Sequence, residues 1–421
     1  MHIEDNSGQI QAYLKKDRIG EKPYQFFLDN FDIGDFIQLR GILFKTKKGE
    51  KTLQVAAYRI LAKSLRPLPE KWHGFKDDEE RFRRRYLDLI FNKEVKEKFQ
   101  KRAEIIKVIR AFLENEGFLE VETPVLQNMY GGADARPFKT HINAFDLDMY
   151  LRISLELPLK RLIVGGFEKV YEMGRVYRNE GVDRQHNPNF TELEFYWAYA
   201  DYKNMMKLTE RMFSYVLKQV FGKTKIEYEG KQIDFKTPWP RIEYRDLVKK
   251  YTKLDIEALN RNALAKEAKK LGIETEKTWS KGKIIDELYK KYCRPKIWEP
   301  TFVIHHPAEM KPLAKVREDD PNTAESFQLL VAGGWELINA WSEQNSPIEQ
   351  RKAFEEQEGL FKKGLEDAQR MDTDFIEALE YGMPPTAGFG MGIDRLIALL
   401  TDSHSLREVI LFPTMKPRSA R

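Results

Sequence analysis

One cysteine, Cys293, stands among 421 residues, which excludes an internal disulfide and any metal site built from cysteine pairs. No apolar run is long enough to cross a bilayer and no secretory h-region opens the chain, so the expected location is cytoplasmic, with no membrane partner. Internal repeats and low-complexity tracts are missing as well. Net charge is small: 71 Lys/Arg against 66 Asp/Glu leave +5. The first 85 residues carry 18 Lys/Arg and 13 Asp/Glu, so this segment alone holds an excess equal to that of the whole chain. A weakly basic amino-terminal module suits a polyanionic partner without requiring one, and a lysine-rich surface explains the charge equally well. What is plentiful is core-forming material. At 42% hydrophobic and 33% charged, the chain can bury at least one large core and carry two or three domains.

Residues 7–63 read as short strands. Gly8–Leu14 alternates polar and apolar, and Asp35–Leu43 and Thr52–Tyr58 flank a turn at Lys47-Lys48-Gly49-Glu50. Period-two runs joined through a glycine turn predict a β-hairpin in a small barrel or sandwich. Basic and bearing Tyr13, Tyr24, Phe26 and Phe27, such a module suits stacking on single-stranded bases, although ordinary core aromatics account for the same residues. Arg66-Pro67-Leu68-Pro69 and the charged stretch to Arg85 read as a linker. From Lys93 to Glu116, apolar residues at Val95, Phe99, Ile106, Ile109 and Leu113 share one helical face. Gly117 ends that helix, and Phe118–Pro124 reads as a strand halted by proline. Lysine-rich, helix-forming sequence fills 240–292.

Two arginine segments lie far apart. One is Val176-Tyr177-Arg178-Asn179-Glu180-Gly181, followed by a polar loop and Phe190-Thr191-Glu192-Leu193-Glu194-Phe195-Tyr196. The other is Gly390-Met391-Gly392-Ile393-Asp394-Arg395, which opens a helix-like run. Arginine binds phosphate as a planar, permanently charged fork, so two from opposite sides can hold a bent triphosphate. Singly, each string is weak: an Arg-Asn-Glu is usually a surface ion pair, and glycines before a helix can simply ease packing. Together and in this order they are specific.

This pair resembles motifs 2 and 3 of the class II aminoacyl-tRNA synthetases, and the 93–124 helix, strand and proline resemble motif 1. Gly131–Phe138, Leu151–Arg161, Asn339-Ala340-Trp341-Ser342-Glu343 and Pro413–Pro417 are close to the lysyl branch; Pro384–Gly388 is shared with aspartyl and asparaginyl relatives. The resemblance implies an α+β fold. A partial OB-type β-barrel over 1–65 precedes a catalytic domain over 66–421, with a mixed, mostly antiparallel sheet, flanking helices and a helical insertion at about 222–300. It implies ATP and L-lysine as substrates, Mg²⁺ as metal, tRNA(Lys) as acceptor, and a homodimer through 93–124.

Site roles follow from the same resemblance. Arg178, Glu180 and Arg395 are the expected catalytic residues, with His186, Phe190, Glu336 and Gly392 completing the ATP site. Arg178 would bridge carboxylate and α-phosphate, Arg395 would hold the γ-phosphate, and Phe190 would offer a face to adenine. Glu343 would take the lysine ε-ammonium with Tyr196 beside it, and Trp341 would cover the stem. Glu156 and the Gly132 backbone would hold the α-ammonium, Asn339 would assist Arg178, and Glu194 would form a second acidic wall. Gln11 and Glu50 match anticodon-side positions.

Three departures qualify this. The chain starts inside the family's barrel and is expected to be shortened at its amino end. Of two acidic Mg²⁺ positions, Glu336 matches one, while Gln328 stands near the other, so a weakened or rearranged metal site is expected. Trp341 replaces a smaller aromatic, and Gln344-Asn345-Ser346 replaces the usual Leu-Asn-Asp. Two rivals follow: a paralogue that adenylates lysine but modifies a protein (an elongation factor), and a catalytically silent RNA-binding regulator.

Overall fold

The computed structural model describes residues 1–68, 77–362 and 368–418. It divides into two units, Met1–Asp78 and Glu79–Arg421.

The first unit is a four-stranded sheet of His2–Asp5, Gly8–Tyr13, Phe36–Lys45 and Lys51–Ala62, in the order first, second, fourth, third. The expected hairpin is present. Its turn is closed by the Thr46 N–H donating to the Glu50 carbonyl at 2.9 Å, with Gly49 at φ +84°. The long strands bulge at Arg40/Gly41, where a Cβ on Gly41 would lie 2.0 Å from the Gln54 carbonyl oxygen. Two features were not anticipated. A strand precedes Gly8, and helices Lys16–Ile19 and Glu21–Asn30 separate the second and third strands. The longer helix uses its aromatics to dock: Phe27 stacks on Phe31 with centroids 4.5 Å apart, and both meet Tyr58 edge-on. Phe27 is thus a packing residue, whereas Tyr13 and Phe26 are exposed. Part of the linker, Pro69–Lys76, lies outside the described residues; from Asp78 the chain is helical.

In the second unit, eight strands form one sheet. Their order is Arg241–Glu243, Thr301–Ile304, Ser326–Val331, Trp335–Ser342, Thr386–Gly392, Asn189–Ala198, Lys169–Tyr177, Leu119–Glu120. The six inner strands pair antiparallel, and only the two edge strands run parallel to their neighbours. Alternation sorts the side chains onto two faces. Leu193, Phe195, Phe389, Met391, Ile338 and Ala340 point into the main core, where Phe195 and Phe389 stack at 4.1 Å. Each fully buried phenylalanine there contributes roughly 2–3 kcal/mol. The helix Tyr202–Phe221 covers this face, its start fixed by a capping box between Asp201 and Asn204. The helix Lys93–Asn115 also packs on the core, burying Val95, Ile105, Ile109, Phe112 and Leu113. Phe99 and Ile106, assigned to its buried face by spacing, are partly buried, Ile106 still packing against the core, because the contact stripe is centred on Ile105 and Phe112. Of the anticipated 118–124 strand, Leu119–Glu120 pairs in the sheet, and the Val121 N–H still donates to the Tyr171 carbonyl at 2.9 Å.

The 222–300 stretch is not helical throughout. It opens with a hairpin, Lys225–Tyr228 and Lys231–Asp234, and an edge strand. Helices then occupy Tyr244–Thr252, Arg261–Lys270 and Lys281–Leu288 and enclose a separate apolar cluster around Tyr244, Ile284 and Tyr289.

Candidate active site

The polar face of the central strands floors one cavity of about 300 Å³. Its design is a glycine strand between two functional strands. Gly388 lies between Trp341 and Tyr196, Gly390 between Asn339 and Glu194, and Gly392 beside Glu192. Because side chains repeat every two residues, Gly388, Gly390 and Gly392 all face the cavity while Phe389 and Met391 face the core. The glycines leave the room that larger residues would fill. A Cβ on Gly388 would sit 1.9 Å from Glu343 Oε1 and 2.6 Å from the Tyr196 ring. Gly388→Ala is therefore expected to raise the amino-acid KM at least about tenfold while leaving ATP affinity intact, as steady-state kinetics would show. At Gly390 the nearest atoms to a Cβ are 3.8 Å away, so Gly390→Ala meets no clash within the protein.

Both arginines line this cavity. Arg178 Nε donates to the Ile153 carbonyl at 3.1 Å, Nη2 lies 3.4 Å from Glu192, and the guanidinium sits over the Phe190 ring at 5.0 Å. Phe190 thus has one face occupied by Arg178. Arg395 opens the helix Ile393–Leu400; Nη1 donates to the Glu336 carbonyl at 3.2 Å and Nη2 is 3.4 Å from His186 Nε2. Residues 186 and 395, separated by about half of the chain, thereby meet at one mouth. The neighbouring Asp394 pins this corner, accepting from the Thr191 N–H at 3.0 Å and pairing with Arg102 at 2.6 Å. Glu180 is exposed and also lines the cavity.

The acidic end is organised by a lysine. Lys160 is fully buried; its Nζ donates to Glu156 at 2.5 Å and to Glu343, and lies 5.7 Å from the Phe375 ring. Glu156 and Lys160 are one helical turn apart at the start of Glu156–Val164. Glu343 Oε2 also accepts from Trp341 Nε1 at 2.9 Å, while its Oε1 is buried with no hydrogen-bond partner among the described residues. Burial pushes the Glu343 carboxyl up to about 8 even with Lys160 opposing it. Glu194 is raised well above the usual carboxylate range by burial and by Glu192 and Glu156, and it accepts from Ser154 Oγ, the Leu155 N–H and Tyr196 Oη. The Tyr196 hydroxyl is thus committed to Glu194 rather than Glu343. The Gly132 N–H donates to Gln369 at 3.1 Å, which leaves its carbonyl as the group available to an ammonium.

On the opposite side, Asn339 donates to Glu336 and accepts from Lys311 Nζ at 2.9 Å. Burial would raise the Glu336 carboxyl, but Arg294, Arg395 and Lys311 together hold it down to about 2. Gln328 does not line the cavity, and its amide oxygen accepts from Tyr289 Oη at 3.1 Å. No group of three His, Cys, Asp or Glu suited to a metal occurs among the described residues. This donor set does not form a protein cage. It fits a nucleotide-borne Mg²⁺ touched by Glu336, with phosphates and water supplying the remaining oxygens.

Sequence reasoning missed Lys160, Glu192, Arg294, Lys311 and Gln369. Glu192 was legible, since alternation puts it on one strand face with Glu194 and Tyr196; the others carried no signal that periodicity could expose. In the barrel, Gln11 and Glu50 are neighbours of one another's strand ends: Thr52 Oγ1 donates to Gln11 Oε1 at 2.7 Å, and Glu50 lies 3.6 Å from His2.

A family model described as tRNA synthetases class II (D, K and N) matches residues 77–416, and one for an OB-fold nucleic acid binding domain matches 1–61. The chain is 53% identical over 418 residues to a lysine–tRNA ligase of Thermoanaerobacter sp. (strain X514), covering 99% of this chain and 83% of that protein. The lysine–tRNA ligase of Moorella thermoacetica is 51% identical over 417 residues (99% and 85%), and that of Clostridium novyi 52% over 419 (99% and 82%).

Proposed function

We infer the reaction from one premise: the chain belongs to the class II tRNA synthetases of the D, K and N group, and it is an ATP-dependent ligase. It joins L-lysine to tRNA(Lys) in two steps. A lysine carboxylate oxygen attacks the α-phosphorus of ATP as the bond to the leaving pyrophosphate breaks, giving lysyl-adenylate. A terminal ribose hydroxyl of the tRNA then attacks the acyl carbon, and AMP leaves.

The observation that carries lysine is Glu343 Oε1, a buried carboxylate oxygen with no hydrogen-bond partner among the described residues; Glu343 does not itself line the cavity, and its Oε1 lies just behind the bare α-carbon of Gly388, which does. A buried polar atom left unpaired is costly, and an incoming ε-ammonium donates to it and adds a second cation to a carboxylate that Lys160 only partly offsets. A carboxylate side chain meets the reverse situation, since Lys160, the cation at this end, is already held by Glu156 and Glu343. Glu156, Glu194 and the Gly132 carbonyl then suit the α-ammonium, with the Trp341 ring along the stem. Arg178 bridges carboxylate and α-phosphate, the exposed Glu180 at the mouth faces the nucleotide, and Arg395 and His186 hold the triphosphate tail. The free face of Phe190 stacks adenine, and Gly392 lets the nucleotide approach the backbone. Mg²⁺, when bound beside Glu336, neutralises phosphate charge.

Lysine binding favours the ionised form of Glu343, so it lowers a carboxyl that stands near 8 in the empty site. Affinity for lysine is therefore expected to rise with pH between about 6 and 8, by up to about tenfold per unit, and to level above about 8. Calorimetry in buffers of different ionisation enthalpy should record proton release at about pH 7. An affinity flat across that window would count against the assignment.

The OB-fold unit supports tRNA as acceptor over a protein, with Gln11 and Glu50 on its anticodon side. Exposed Leu119, inside the 93–124 segment, and exposed Leu126, two residues beyond it, support a homodimer, which equilibrium sedimentation would test. No helix among the described residues is long and apolar enough to cross a membrane, and we place the enzyme in the cytoplasm with its tRNA. Charging of total tRNA with radiolabelled lysine tests the whole reading: lysyl-tRNA is expected. Adenylate formation with no charged tRNA would transfer the case to the protein-modifying alternative.

A further inference from the structure

Lys311 lines the same cavity from a loop that supplies none of the residues assigned above. That loop is fastened to the end of the strand bearing Asn339 and Trp341, just where Glu343 follows it. The Lys315 N–H donates to the Ser342 carbonyl at 2.7 Å, and the Gln344 N–H to the Leu313 carbonyl at 2.9 Å. Lys311 itself is tied at both ends, its N–H donating to the Ala308 carbonyl at 2.9 Å and its carbonyl accepting from the Ala314 N–H at 3.0 Å. Proline follows at 312, and the Lys311 backbone is outside the helical region at φ −136°, ψ 67°. Its ammonium stands 2.9 Å from Asn339 Oδ1 and 5.1 Å from the Trp341 ring centre. An ammonium has three donors, and one of them is spent on this amide. Burial holds it below the ordinary lysine range, although the charges of Glu336, Asp134, Asp286 and Glu156 oppose that shift; His306 is the titratable ring near it. No carboxylate pairs with Nζ at ion-pair distance among the described residues.

We propose that Lys311 is a further catalytic residue of adenylate formation: its ammonium, parked on Asn339 over the Trp341 ring, donates hydrogen bonds to the oxyanion shared by the lysine carboxylate and the α-phosphate. This rests on the function proposed above. The carboxylate O–P bond forms, the P–O bond to pyrophosphate breaks, and the electron pair leaves with pyrophosphate. Lys311 keeps its proton throughout and offsets charge accumulating on the phosphorus oxygens. Arg178 reaches that point from the Lys169–Tyr177 strand end and Lys311 from the loop, so the reacting oxyanion meets cations from two separate elements.

The test compares wild type with Lys311→Gln and Lys311→Met in lysine-dependent ATP–pyrophosphate exchange. Glutamine keeps a donor for Asn339 without the charge, and methionine keeps only the stem. Both variants are expected to lose about 10²-fold in kcat, with the KM for lysine and ATP changed less than about threefold. Both should bind the unreactive acyl-sulfamate analogue of lysyl-adenylate more weakly by calorimetry. The wild-type kcat should fall on an alkaline limb below the usual lysine range, and that limb should vanish in the glutamine variant. A folded Lys311→Gln enzyme with wild-type kcat overturns the proposal, because a tether to Asn339 would then suffice; an unchanged alkaline limb overturns it too. Absence of lysine-dependent exchange in wild type would instead refute the parent function, so the two failures are distinct.

Discussion

Arg178→Met is expected to reduce lysine-dependent ATP–pyrophosphate exchange by about 10³-fold or more, mostly in kcat. The residue stands at the end of the Lys169–Tyr177 strand, where a hydrogen bond to Ile153 and the face of Phe190 fix its fork before any ligand arrives. A preorganised guanidinium needs no rearrangement as negative charge grows on the α-phosphate, which is why its loss falls on kcat rather than KM. Its removal also leaves Glu192, already raised by burial, with less opposing charge. The double variant Arg178→Met/Glu192→Gln separates the two effects: it should recover thermal stability without recovering exchange. Recovery of both would mean that Arg178 serves only to neutralise Glu192.

Glu343→Gln is the second large effect. The amide is nearly isosteric and retains an acceptor for Trp341 Nε1, but it cannot neutralise an ammonium. Breaking one side of a buried charge pair costs about 3–5 kcal/mol, so lysine affinity should fall by about 10² to 10³-fold. Lys160 keeps Glu156 as a partner at 2.5 Å, so the fold should survive. ATP affinity, set at the other end of the cavity by Arg395 and His186, should be unaltered. Equilibrium binding of lysine and of ATP to the variant checks both halves; unchanged lysine affinity would remove Glu343 from its assigned role.

Much of the architecture was legible because the strands alternate cleanly. The run Glu192, Leu193, Glu194, Phe195, Tyr196 states its own two faces, and the glycines at 388, 390 and 392 mark where a floor must stay open. Family text then joined two arginine segments that no local pattern links. Other parts were not legible for physical reasons. Helix Glu21–Asn30 carries Phe26, Phe27 and Leu28, with Phe31 just after it, in a crowded apolar stretch whose docking on Tyr58 is a tertiary outcome. The rotation of the Lys93–Asn115 helix is set by what packs on it, so spacing alone chose Ile106 over Ile105. Lys160 looked like a surface lysine, since only the fold decides that a residue four positions after Glu156 points inward onto a second carboxylate from residue 343. Lys311 sits in an irregular loop, where periodicity says nothing. Gln328 was read as a substituted metal ligand; the bond to Tyr289 comes from the insertion, which sequence proximity does not reveal.

The most direct measurement is ATP–pyrophosphate exchange with each common amino acid in turn, using the purified full chain with Mg²⁺. A single cavity with two arginines for the nucleotide and an acidic slot for an ammonium predicts strong exchange with L-lysine and little with any other. Exchange driven best by aspartate or asparagine, or none with lysine, would contradict it.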